Sequence, residues 1–74
     1  MFYIVKRHYG DTEYEYYYTG LDDSDLLYST NISDAEMFET TDVCFLTYEA
    51  LRAKMNEEDN SNYYIFIDST GVNE

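Results

Sequence analysis

The sequence predicts an α+β fold, an antiparallel sheet of about three to five strands with one helix packed on a face. Three observations point there. Residues 2–8 and 14–18 are both rich in aromatic and β-branched types, with Gly10 between them. Cys44, Tyr48, Leu51 and Met55 recur at helical spacing and fall on one stripe. Tyr63-Tyr64-Ile65-Phe66-Ile67 forms a last strand-like run.

Taken in order, Phe2 to His8 and Tyr14 to Tyr18 make a hairpin. A two-residue Gly10-Asp11 loop is expected to close it as a type II′ turn. That register sets Lys6 opposite Glu15 and His8 opposite Glu13 on one face, with Val5 facing Tyr16 and Tyr3 facing Tyr18 on the other. Residues 20–25 break the pattern as a loop, and residues 26–30 add a short third strand. Residues 35–40 alternate weakly, which predicts one further short strand. Thr40 or Thr41 then caps a helix with Asp42 in its first turn and Arg52 and Lys54 toward its end, each sign where the helix dipole favours it. The rival reading makes Val43-Cys44-Phe45-Leu46 a strand and starts the helix at Thr47. Residues 57–62 read as a polar loop, and the chain as one domain over 1–74 with a loose tail from about residue 68.

At 74 residues the core must be thin, and folds of this size often lean on disulfides, a metal or oligomerisation. Cys44 is the only cysteine, so an intrachain disulfide is excluded. Neither a basic-then-apolar leader nor an apolar run of about 20 residues is present, and a cytoplasmic address is expected. Sixteen carboxylates against four Lys and Arg give a net charge of -12. Such a balance disfavours direct contact with nucleic acid or an anionic membrane and favours a basic partner. Hydrophobic residues at 45% and aromatics at 19% argue for a folded chain, since disordered acidic chains are poor in both.

Placement of the charge says more than its total. Between His8 and Leu51 there is no Lys or Arg, and Asp22, Asp23, Asp25, Asp34, Glu36, Glu39 and Asp42 have no cation nearby in sequence. The plain reading is that they solvate the surface. The functional reading is an electrostatic decoy, in which carboxylates gathered on one surface occupy a groove built for the phosphates of a nucleic acid. Tyrosine suits interfaces as an anchor, and among the ten here Tyr9, Tyr17 and Tyr28 are expected to be exposed, with Tyr28 beside the acids.

Other chemistries fit less well. Asp22-Asp23-Ser24-Asp25 resembles part of a calcium loop but lacks the central Gly and closing Glu. Residues 57–62 are rich in oxygen ligands in the same loose way, and one Cys with one His cannot close a typical zinc site. A nucleophilic Cys44-His8 pair is arithmetically available, but a buried thiol and an ordinary strand histidine explain both residues. No Gly-rich phosphate loop occurs, and a core this small gives little room for a glycosidase cleft. A non-enzymatic protein without metal or cofactor is expected.

The run from Asn31 to Thr40, with Ala35 and Phe38 spaced as Ala-x-x-Phe after a Tyr-rich hairpin and before a helix bearing Glu49-Ala50, resembles a pattern in small proteins encoded by phages of Gram-positive bacteria. The resemblance covers about two thirds of the chain and departs from the pattern at Val43 to Leu46, where polar residues belong. It implies a counter-defence role of the anti-CRISPR or anti-restriction type, with DNA mimicry and a host defence nuclease as partner. No individual residue carries a role by that resemblance. A phage structural or regulatory module that binds through its Tyr-rich sheet, or pairs as a homodimer through an open edge, is the alternative.

Overall fold

Aromatic and β-branched residues put β1, Phe2–His8, at the centre of the sheet, where both of its edges are paired. The computed structural model describes residues 1–10, 13–21, 26–57 and 62–69. β2 is Glu15–Tyr18, β3 is Tyr28–Ser29, α1 is Thr41–Glu57 and β4 is Tyr63–Ser69, with a 3₁₀ turn at Ile32–Asp34. The strands lie in the order β3-β2-β1-β4, all antiparallel, and α1 packs against the sheet. This is the α+β arrangement that the sequence predicts.

One face carries the core. β1 pairs with β4 over its whole length, placing Ile4 beside Ile67 and Lys6 beside Ile65. Ile4, Phe38, Cys44, Leu51, Met55 and Ile65 form a buried cluster, with Tyr48, Phe2 and Tyr18 packed against it. The predicted helical stripe is therefore the one that faces the sheet. α1 begins at Thr41, where Thr40 Oγ1 accepts a hydrogen bond from the Val43 amide at 3.4 Å, so the rival start at Thr47 does not hold.

The hairpin register differs from the expected one by a residue. Val5 sits across from Tyr17, Lys6 from Tyr16 and Arg7 from Glu15. A longer connection is the reason: the His8 amide bonds the Tyr14 carbonyl at 3.0 Å, leaving five residues between them, and His8 Nδ1 accepts from the Gly10 amide at 3.1 Å. Because side chains alternate with period two, that shift exchanges the two faces of β2. Tyr16 and Tyr18 turn to the helix side, while Glu15 and Tyr17 join Val5 and Arg7 on the other. His8 lies against the rings of Tyr14 and Tyr63, not across from Glu13. Residues 35–40 are likewise not a strand: only Phe38 pairs, as an isolated bridge to Phe2.

The face away from α1 has no covering element among the described residues, yet Tyr3 is 7% and Val5 2% exposed. Side chains of the sheet itself cover them. Tyr3 and Tyr17 rings lie 6.0 Å apart, Tyr64 and Phe66 5.7 Å, and the Arg7 guanidinium sits 4.7 Å from the Phe66 ring centre. Arg7 also pairs with Glu15 and donates from Nη1 to the Tyr64 hydroxyl at 3.4 Å. Burial, and then the Asp68 carboxylate, pushes the Tyr3 hydroxyl above its ordinary pKa. Tyr17 is raised by burial and by the hydrogen bond it donates to Glu15.

Candidate functional site

The segment from Asn31 to Asp42 crosses one end of the sheet, and local hydrogen bonds fix its path. Asn31 Oδ1 accepts from the Ser33 amide at 3.0 Å and from Ser33 Oγ at 2.9 Å, opening the 3₁₀ turn, and Ser29 Oγ donates to Asp34 at 2.7 Å. The Glu36 amide then bonds the Tyr18 carbonyl at 2.8 Å, and Phe38 exchanges two backbone bonds of 2.8 Å with Phe2. Phe38 is buried and stacks on Tyr18, which pins the segment to the core. With Phe38 turned inward, Glu36 and Glu39 on either side of it are exposed. Gly20 makes room for this crossing. It has φ +84°, and a Cβ there would come within 2.5 Å of a Glu36 carboxylate oxygen.

Asp34, Glu36, Glu39 and Asp42 are thus exposed along this segment and the start of α1. A fifth carboxylate joins them. Asp68, which the sequence assigns to the tail, belongs to β4 and lies across from Tyr3 near the same end. None of the five makes an ion pair with Lys, Arg or His among the described residues. Two of the four cations, Lys6 and Arg7, are engaged elsewhere. Lys6 lies 4.6 Å from the Tyr28 ring centre and 5.0 Å from that of Tyr63. Arg52 follows Asp42 by ten positions, so at a rise of about 1.5 Å per residue it stands roughly 15 Å further along α1.

Of the residues read as the contact, Asp22, Asp23 and Asp25 lie outside the described residues. Glu36 and Glu39 flank the buried Phe38 where the segment crosses the end of the sheet, Asp42 follows in the first turn of α1, and Asp34 sits on the 3₁₀ turn beside Ser29 of β3. Tyr28 is half-buried on β3 with Lys6 against its ring, and Tyr17 is half-buried too, so of the three expected exposed tyrosines only Tyr9, at 66%, is fully so. Reading each strand tyrosine without its cross-strand neighbours overestimated how open they are.

Tyr16, Thr19, Leu21, Leu26, Tyr28 and Asp34 line a hollow of about 680 Å³ beside the acidic end. It is broad and open, a shape suited to contact with a surface. Cys44 is fully buried in the core, and burial raises its thiol pKa; His8 lies at the opposite end of β1 from the start of α1, so the two do not form a reactive pair. Among the described residues no three His, Cys, Asp or Glu side chains converge as metal ligands, and both loose calcium-like runs fall largely outside those residues. No described helix is long and apolar enough to cross a membrane.

Comparison with protein-family models, with curated proteins and with solved structures finds no match to this chain.

Proposed function

We propose that this protein is an acidic inhibitor, active in the cytoplasm of a phage-infected cell, that binds the basic nucleic-acid-binding surface of a host defence nuclease. It works by occupancy and catalyses no reaction. One observation carries the reading: Asp34, Glu36, Glu39 and Asp42 are exposed on or beside the segment that crosses the sheet, Asp68 is exposed on β4 across from Tyr3, and none of the five is paired to a cation among the described residues. Backbone bonds and the buried Phe38 hold the crossing segment in place, so little ordering is needed on binding. The negative sign of that end attracts a groove lined with Lys and Arg and steers encounter with it. Asp22, Asp23 and Asp25 add to the same charge in sequence, between Leu21 and Leu26.

A second reading rests on the uncovered sheet face, where Tyr3, Tyr17, Tyr64 and Phe66 surround the Arg7–Glu15 pair. There the protein is a phage structural or regulatory module that docks through its aromatic sheet. Competition separates the two. Labelled duplex DNA is bound to each of a panel of CRISPR nucleases and restriction enzymes, and the protein is titrated in at low and several-fold higher salt. The decoy displaces DNA from at least one nuclease at low salt and much less at high salt. Displacement that ignores salt, and that survives conversion of Asp34, Glu36, Glu39 and Asp42 to their amides, overturns it. An inhibitor of that kind would be using the aromatic face.

A further inference from the structure

The outer edge of β4 is a second interaction surface, and we infer that it joins two copies of this chain by antiparallel β4–β4 pairing. β4 is last in the sheet order, and among the described residues no backbone hydrogen bond reaches its outer edge. Seven residues present a row of main-chain donors and acceptors about 23 Å long with only one charged side chain, Asp68. Beside that edge, Phe45 and Leu46 of α1 are 50% and 72% exposed and flank Ile67 around a hollow of about 460 Å³. Unpaired strand and exposed apolar helix flank are therefore adjacent.

Geometry and charge favour a second copy as the occupant. α1 contacts both β1 and β4, so its axis lies about half a strand spacing inside the edge. Pairing β4 with its symmetry mate then sets the two helices about two strand spacings apart, roughly 10 Å, which is the distance at which helices pack. Leu46 and Phe45 would close that seam. A two-fold axis at Phe66 places Ile65 beside Ile67 and Tyr64 beside Asp68 of the mate, which keeps the two Asp68 carboxylates apart. The helices run antiparallel, so the Asp42 end of one copy lies beside Arg52 and Lys54 of the other. With -12 on each chain, this arrangement brings opposite signs together at the seam. A strip of about 23 by 20 Å gives roughly 900 Å² over both copies, below the roughly 1,000 Å² that a stable specific interface clears, so the dimer is a weak, transient one. The inference does not depend on nuclease inhibition: pairing draws Asp42 and Asp68 toward the seam and leaves Asp34, Glu36 and Glu39 outside it.

Sedimentation equilibrium of the protein alone, from about 1 µM to about 1 mM, is the test. A mass rising toward twice 8.8 kDa is expected. Leu46→Lys reduces the net negative charge, so a dissociation constant weakened about tenfold or more at unchanged circular dichroism reports the lost apolar contact. Asp42→Arg should weaken the pair likewise, and Asp42→Arg combined with Arg52→Asp should restore it. Backbone amides of residues 63–69 should exchange more slowly as concentration rises. A monomer throughout the range overturns the inference. So does a dimer that none of these variants changes, or one whose slowed amides lie away from β4.

Discussion

Ile4 and Val5 are neighbours on β1, 0% and 2% exposed, and are buried by different means. Ile4 lies under α1 in the cluster with Cys44, Leu51 and Ile65, whereas Val5 is screened by Tyr17 and Phe66, its partners across the sheet on a face without a covering element among the described residues. Truncation to Ala should tell the two apart. Ile4→Ala removes three carbons, about 2.4 kcal/mol at roughly 0.8 per methylene, and leaves a cavity between two rigid layers that brings the cost to about 3–4 kcal/mol. Val5→Ala removes two carbons, about 1.6 kcal/mol, and the surface rings can settle into the space, so the cost stays near 1.5. Against a total of about 4–11 kcal/mol for a chain of this length, the first change is close to ruinous and the second is tolerated. Urea titration followed by circular dichroism measures both, and melting should fall by about 15–25 °C for Ile4→Ala and about 6–12 °C for Val5→Ala. Equal losses, or an Ile4→Ala cost below about 1.5 kcal/mol, would refute the assignment of the core to the helix face.

Stability should decline on the alkaline side. Cys44, Tyr3, Tyr17 and Tyr63 all have folded-state pKa values raised by burial, so the unfolded chain loses these protons first and stability falls as pH climbs from the ordinary thiol range upward. Cys44→Ala should remove the earliest part of that decline in pH-dependent urea midpoints. The Cys44 thiol should react with an aromatic disulfide reagent only at the rate of opening, accelerating sharply in denaturant, because it is fully buried. Gly20→Ala should cost about 1–2 kcal/mol, since it forces an L side chain to a positive φ and into the Glu36 carboxylate. Chemical denaturation of that variant is the measurement, and no loss would show that the crossing segment can shift freely.

Local patterns carried the architecture. β-branched and aromatic runs marked β1 and β4, where β1 is buried on both faces over Tyr3 to Val5 and so carries an unbroken apolar run, and the Cys44–Met55 stripe marked α1 because its one buried face keeps a helical period. The hairpin register was not legible, since it depends on whether the turn holds two residues or five, and Gly10 is compatible with both. Residues 35–40 alternate like a strand, but only Phe38 forms a bridge, to Phe2, and no ladder develops. Four of the five carboxylates could be read from the absence of Lys and Arg through the middle of the chain. Asp68 could not, because its place there follows from pairing with a strand more than sixty residues earlier. The exposed Phe45 and Leu46 were visible as apolar residues off the helical stripe, and that departure was the one available sign of a second surface.

The acidic end is tested most directly by association kinetics against a nuclease that the protein displaces from DNA. Wild type is compared with the protein carrying Asp34→Asn, Glu36→Gln, Glu39→Gln and Asp42→Asn across a salt series. Wild-type association should be fast at low salt and slow by about tenfold or more as salt rises, while the neutralised protein starts slow and responds little. Equal on-rates for the two proteins at low salt would contradict the claim that these carboxylates face the target.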